Sequence, residues 1–459
     1  MTTATSDESA PDESAPDESA PGGSAPAGSA PGGSAPGGSA SRDRRPRVTV
    51  RPVVETADSL HGEVTVIDDR PGYLAAVEAI RAGTGPISID AERASGYRYS
   101  QRAYLIQVFR RGSGVFLLDP PAIGSFAELQ DVIGDEEWVL HAASQDLACL
   151  REVGLDPSRI FDTELGARLA GLPKVGLGAV VEQLLGVHLA KEHSAADWST
   201  RPLPQSWLVY AALDVELLVD LRDAMEAVLA DAGKLEIARQ EFEATLRREA
   251  KPAKVDPWRR LTGLHSVRGS RSLAVARELW QARDDYAREI DTAPGRLVPD
   301  SSLVAATKAM PTDKRSLAGI KEFVGRASRS ELDRWFAAIE RGRETTDLPS
   351  HRGPASDTLP PPRSWADKNP LADARYKAVR PKVTEIAEGL DLPVENLLTP
   401  ETLRRLAWDP PIPFDAPTIA ATLVELGARA WQVEAVAEAV AEAFVDAHQE
   451  PEATGDGAS

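Results

Sequence analysis

The stretch Ile87-Ser88-Ile89-Asp90-Ala91-Glu92 decides how the rest of the chain is read. Its apolar residues suit a buried strand, and the strand ends in two carboxylates. Successive side chains of a strand alternate between faces, so Asp90 and Glu92 project together. Adjacent carboxylates repel and raise each other's pKa. A divalent cation relieves that repulsion, and hard carboxylate oxygens suit Mg²⁺ or Mn²⁺. The plainer reading is an acidic pair at a strand end in solvent, and the choice depends on what lies downstream.

Two further acids lie downstream. A strand at 138–141 runs into Ser144-Gln145-Asp146-Leu147. Ser144 suits a helix N-cap there, which puts Asp146 in the first helical turn. An Asp at that place can also simply complement the helix dipole. In Trp207-Leu208-Val209-Tyr210-Ala211-Ala212-Leu213-Asp214 the phenol and the acid are four residues apart and share one helix face. Leu208, Val209, Leu213, Leu217 and Leu218 mark the buried side, so Tyr210 and Asp214 need partners. The alternative is a core tyrosine beside an Asp paired with an Arg.

The 459 residues suffice for roughly two to four domains. Residues 1–45 read as a disordered acidic arm rich in Ser, Ala, Pro and Gly. Asp-Glu-Ser-Ala-Pro and then Gly-Gly-Ser-Ala-Pro recur there, without the large apolar residues that would offset ordering entropy. Arg42, Arg44, Arg45 and Arg47 mark its end. Residues 46–245 are mixed α/β, with strands expected at 63–67, 87–90, 104–109, 115–119 and 138–141. Helices are expected at 71–82, 125–133, 145–153, 163–169, 178–185 and 205–231, with helix resuming through 232–250. The strands 104–109 and 115–119 read as a hairpin, and a mixed sheet flanked by helices is the natural assembly. A linker near 251–257 leads into a helical module at 256–343. A second linker at 344–363 precedes a third, helical module at 364–448, and 449–459 form an acidic, disordered tail.

Net charge is −19, yet between Arg247 and Glu344 there are 21 Lys and Arg against 14 Asp and Glu. That local excess of positive charge is what a polyanion meets first. The single cysteine, Cys149, excludes an internal disulfide and a multi-cysteine zinc site, and its apolar helical setting suits a buried thiol in a reducing compartment. No apolar run approaches the ~20 residues of a membrane span. With no leader-like start, the expected location is the cytoplasm. No P-loop is present, so no helicase motor is expected.

Taken together, D-x-E, then D, then Y-x₃-D resembles the DEDD superfamily of 3′–5′ exonucleases in its tyrosine subclass, and within it the ribonuclease D family. His141-Ala142-Ala143-Ser144-Gln145-Asp146-Leu147 resembles the second exonuclease motif, and Asp162-Thr163 the family's D-T step. Lys191, Ser194, Ala196-Asp197-Trp198 and Arg201-Pro202-Leu203 resemble the segment leading into the third. Ala287 to Asp300 resembles the centre of an HRDC domain, and 364–448 is similar, less closely, to a second HRDC-like domain. The resemblance implies an α/β, RNase H-like exonuclease domain followed by two all-α HRDC-like domains.

It further implies metal-dependent 3′–5′ exoribonuclease activity on single-stranded 3′ ends of RNA, tRNA precursors and other small structured RNAs included. Two divalent ions would be held by Asp90, Glu92, Asp146 and Asp214, with Asp90 bridging them. Tyr210 would orient the attacking water, and a monomer is expected. His141, Lys191, Trp198 and Arg201 are candidate substrate contacts. Trp198 or Tyr97 could stack on bases, although Trp198 could equally pack in the core and Arg201 could pair with an acid. A DNA 3′–5′ exonuclease and a non-catalytic RNA-binding protein remain as rival readings.

Overall fold

The computed structural model describes residues 64–189, 196–249, 255–353 and 359–449. The arm, the Arg42–Arg47 cluster, the start of the first expected strand, Lys191, Ser194 and most of the tail lie outside the described residues.

The α/β part opens with β1 (Val66–Ile67) and α1 (Arg70–Ala82). Asp69 caps α1 by accepting a hydrogen bond from the Gly72 amide, and Tyr73, Ala76, Val77 and Ile80 form its buried stripe. Three strands follow: β2 (Thr84–Arg93), β3 (Ala103–Arg111) and β4 (Gly114–Leu118). Next come α2 (Pro120–Ile123), α3 (Ala127–Ile133), β5 (Glu137–Leu140), α4 (Leu147–Glu152), β6 (Arg159–Asp162), α5 (Thr163–Leu169) and α6 (Leu177–Leu185). Helices α7 (Gln205–Glu216), α8 (Leu218–Asp231) and α9 (Leu235–Leu246) complete the unit.

The sheet order is β1-β4-β3-β2-β5-β6. Strand β2 is central: β3 pairs with it antiparallel and β5 parallel, so the sheet is mixed as expected. The expected hairpin is present as β3–β4, with Ile106 opposite Leu118 and Arg110 opposite Gly114. Ile87 and Ile89 are fully buried on one face of β2. Ser88 faces the other way, and its hydroxyl donates to the Val215 carbonyl of α7 at 2.7 Å. That bond seats α7 against the face that carries Asp90 and Glu92.

Three expectations need correction. The single helix at 205–231 is two, because the chain turns at Leu217 so that α7 covers β2–β4 while α8 packs on α5 and α6. Strand β6 is an addition to the expected set. Ser144 is not an N-cap: residues Ala143–Gln145 form a 3₁₀ turn and Asp146 itself occupies the N-cap position of α4. A side chain from elsewhere holds this turn. The Asp162 carboxylate accepts from the amides of Ala142 (3.0 Å) and Ala143 (2.9 Å), and Ala142 takes a left-handed φ of 65°.

The remainder is helical: α10 (Ser270–Glu289), α11 (Pro294–Leu297), α12 (Asp300–Ala309), α13 (Lys314–Gly319) and α14 (Leu332–Glu344), then α15 (Trp365–Lys368), α16 (Pro370–Gly389), α17 (Val394–Leu397), α18 (Pro400–Trp408), α19 (Ala416–Glu425) and α20 (Ala430–Gln449). The two modules repeat one plan. A 20-residue helix, α10 or α16, ends near an Asp with positive φ, Asp291 or Asp391, followed by a four-residue helix. Each Asp corner meets the α/β part at a different place. Asp291 accepts from the Ser100 amide (2.8 Å) and the Tyr104 hydroxyl (3.0 Å), whereas the Asp391 carbonyl accepts from Lys234 Nζ (3.0 Å). The last module also pairs Arg429 with buried Glu241 and shares one apolar cluster with the α/β part. Among the described residues no helix is long and apolar enough to cross a membrane.

Candidate functional site

Strand β2 delivers Asp90 and Glu92 at its C-terminal end, and the register places Asp90 opposite Gln107 and Glu92 opposite Leu105. The turn before α4 delivers Asp146, and α7 adds Tyr210 and Asp214 on the flank beside its buried residues Leu208, Ala211, Ala212 and Val215. All five line one cleft of about 520 Å³, together with His141 and Arg93. Carboxylate oxygens of Asp90, Glu92 and Asp214 lie within 4.8 Å of one another. The Tyr210 hydroxyl hydrogen-bonds Asp214, as their four-residue spacing allows.

The carboxylates sit deep in the cleft, where the charged form is poorly solvated. Burial pushes the Glu92 carboxyl up to about 10, reinforced by the charges of Asp90, Asp214 and Asp146. Burial also raises Asp90, with partial relief from the Ala91 amide and Arg93. Asp146 and Asp214 stand well above the usual carboxylate range, through burial first and the Asp90 charge second. Arg93, 4.0 Å from Asp146, is the nearby cation among the described residues. It belongs to no motif of the sequence, and its place directly after Glu92 is the one signal that could have found it. One guanidinium does not balance four acids. An all-oxygen donor set of this density fits one or more hard divalent cations.

A proton linkage follows. The folded pKa values lie above those of the unfolded chain, so without cation the native state holds protons that the unfolded state has released. The cation-free protein therefore loses stability as pH rises from the ordinary Glu value of about 4.3 through the Glu92 value of about 10. Cation uptake at neutral pH should displace these protons, and apparent affinity should increase with pH. Calorimetric Mn²⁺ titrations in two buffers of different ionisation enthalpy will read the proton release; identical heats would refute it.

The other sequence candidates fare differently. His141 lies in the cleft, with Nδ1 2.9 Å from the Thr163 hydroxyl. Burial lowers its pKa to about 4, so it is neutral at physiological pH. Trp198 does not offer a face for stacking: it is fully buried and packs 5.3 Å from the Trp207 ring, which is the core reading. Arg201 is taken up by the fold. Its Nε donates to Asp119 at 2.6 Å, and Nη1 and Nη2 donate to the carbonyls of Trp198 and Tyr104. Tyr97 has the Arg296 guanidinium 3.8 Å over its ring, and Arg296 also donates to the Gly96 carbonyl at the cleft rim. Cys149 is the expected buried thiol, its Sγ donating to the Asp146 carbonyl.

Comparison with known proteins fits this geometry. Residues 64–230 match the family model described as 3′–5′ exonuclease, 272–339 the HRDC domain, and 358–444 the 3′ to 5′ exonuclease C-terminal domain. Ribonuclease D of Jannaschia sp. (strain CCS1) is 30% identical over 292 residues, 61% of this chain and 73% of the relative. A crystal structure of a protein from Bifidobacterium adolescentis superposes with a TM-score of 0.75 at 38% identity, covering 84% of this chain and 97% of that one. Escherichia coli RNase D, described as an exoribonuclease involved in structured RNA processing, gives a TM-score of 0.60 at 25% identity over 85% and 99% of the two chains.

Proposed function

Because the chain belongs to the ribonuclease D family, we propose that it is a metal-dependent 3′–5′ exoribonuclease that trims small RNAs, tRNA precursors among them, and releases nucleoside 5′-monophosphates. The observation that carries this reading is the convergence of Asp90, Glu92, Asp146, Tyr210 and Asp214 on one cleft, three of them with carboxylate oxygens within 4.8 Å. In this reading Asp90, Glu92, Asp146 and Asp214 hold two divalent ions, Mg²⁺ or Mn²⁺, which when bound supply charge neutralisation and water activation.

The roles of the chain's own groups follow from their surroundings. Burial and the nearby acids raise the Tyr210 pKa above its ordinary value, so the phenol stays protonated and is no general base. Its hydrogen goes to Asp214, which leaves its oxygen lone pairs to accept from the attacking water and set the water's approach. Neutral His141 and the Gly96 rim shape the entrance. The basic middle module, clamped to the 94–102 loop beside the cleft and to Tyr104 of β3, holds the body of the RNA. The protein acts in this reading as a cytoplasmic monomer.

The test uses the full chain, because the C-terminal module shares its apolar core with the α/β part and cutting it away would expose that core. End-labelled single-stranded RNA, and DNA of the same sequence, are incubated with Mg²⁺ or with a chelator at two salt concentrations. Shortening of RNA from the 3′ end in Mg²⁺ alone is expected, with affinity falling steeply as salt rises. Faster loss of DNA would favour the DNA exonuclease, and binding without hydrolysis in any divalent cation would favour the non-catalytic protein.

A further inference from the structure

Beside Asp90 lies a polar side chain that the reaction as described does not use. Gln107 on β3 stands directly opposite Asp90 on β2. Opposite residues of antiparallel strands project from the same face, with Cβ atoms about 4.5–5.5 Å apart. Gln107 is fully buried. Among the described residues neither its amide nitrogen nor its carbonyl oxygen has a hydrogen-bond partner. Its neighbours on that face are Leu105, two residues before it, and Leu117, its partner on β4, both in the apolar cluster that meets α7 at Ala211 and Ala212.

A buried carboxamide without partners is costly, and a leucine or methionine would fill this place without the cost. Gln107 differs from them in carrying a donor and an acceptor, at the strand position directly opposite Asp90. Asp90, meanwhile, is central to the cluster. Its charge raises the pKa of Glu92, Asp146 and Asp214 alike. A carboxylate that ligates a cation is ordinarily held from outside by a further hydrogen bond, without which the ligand can swing.

We propose that Gln107 is the positioning residue for Asp90, donating an Nε2 hydrogen to the carboxylate when cations load the cluster. The amide takes no part in the chemistry and needs no contact with RNA. It fixes the rotamer of the carboxylate whose charge acts on the other three acids. The inference rests on the reading of the cluster as a cation site.

The test is calorimetric titration of Mn²⁺ into the full-length protein without RNA, beside thermal melting without cation. Gln107→Leu should weaken Mn²⁺ binding about 10–100-fold, while its melting temperature stays level or rises because the orphan amide is gone. Gln107→Met, with a more adaptable side chain of similar length, should behave alike and stands in if leucine packs badly. Asp90→Asn serves as the control that removes the cation site itself. Wild-type Mn²⁺ affinity in Gln107→Leu would overturn the proposal and make Gln107 a core residue served by internal water. Loss of fold in both Gln107 variants would also overturn it, by assigning the residue to packing. If the wild-type protein takes up no Mn²⁺, the cation reading fails and this inference fails with it.

Discussion

Asp90→Asn is expected to reduce RNA hydrolysis on the order of a thousandfold or more while the protein stays folded. The side chain keeps its shape and loses only its charge. That charge sits amid Glu92, Asp146 and Asp214, where it raises each of their pKa values. Bound cations supply several kcal/mol of charge stabilisation, and about 1.4 kcal/mol corresponds to each tenfold in rate. Without cation the variant should melt no earlier than wild type, since one member of a crowded set of acids has gone. Tyr210→Phe should do less, about a hundredfold, because it misplaces the water without disturbing the donor set. Single-turnover rates in Mg²⁺ decide both. An Asp90→Asn protein that kept a tenth of the wild-type rate would end the assignment of this cluster to cation-dependent hydrolysis.

A 3′-phosphate on the RNA should stop degradation altogether, and a circular RNA should survive intact. The phosphate brings about −1.5 to −2 charges at neutral pH where a 3′-hydroxyl brings none. It would meet a cleft in which two divalent ions do no more than balance Asp90, Glu92, Asp146 and Asp214, and which must already take up the charge of the scissile phosphate. Gel analysis of hydroxyl-ended, phosphate-ended and circular forms of one sequence reads the outcome. Fragments from the circle would mean internal cleavage and would sink the exonuclease reading.

Four of the five residues of the candidate site, Asp90, Glu92, Tyr210 and Asp214, are legible in the amino-acid sequence because their signals are local. The two-residue period of a strand puts Asp90 and Glu92 on one face, and the four-residue spacing on α7 brings Tyr210 to Asp214. The central strands and the β3–β4 hairpin are legible for the same reason, since apolar alternation and a Gly-containing turn are written in neighbouring residues. Strand β6 is not. Arg159–Asp162 has only two apolar residues, Ile160 and Phe161, between two charged ones, whereas the equally short β5 has the continuous apolar run Trp138-Val139-Leu140.

Tertiary structure decided the rest. The turn that presents Asp146 is set by Asp162, which reaches the amides of Ala142 and Ala143 from about twenty residues away, where Ser144 had promised a local cap. The break at Leu217 follows from two helices packing on different partners, although the apolar pattern runs through it unbroken. Trp198 and Arg201 carry the residue types of a nucleic-acid contact, but Trp207 and Asp119 bury and bind them. Sequence determined which groups could do the chemistry, because periodicity fixes the face on which a side chain lies. Only the fold decided which of those groups reach the cleft, because burial and partners come from residues far apart in the chain.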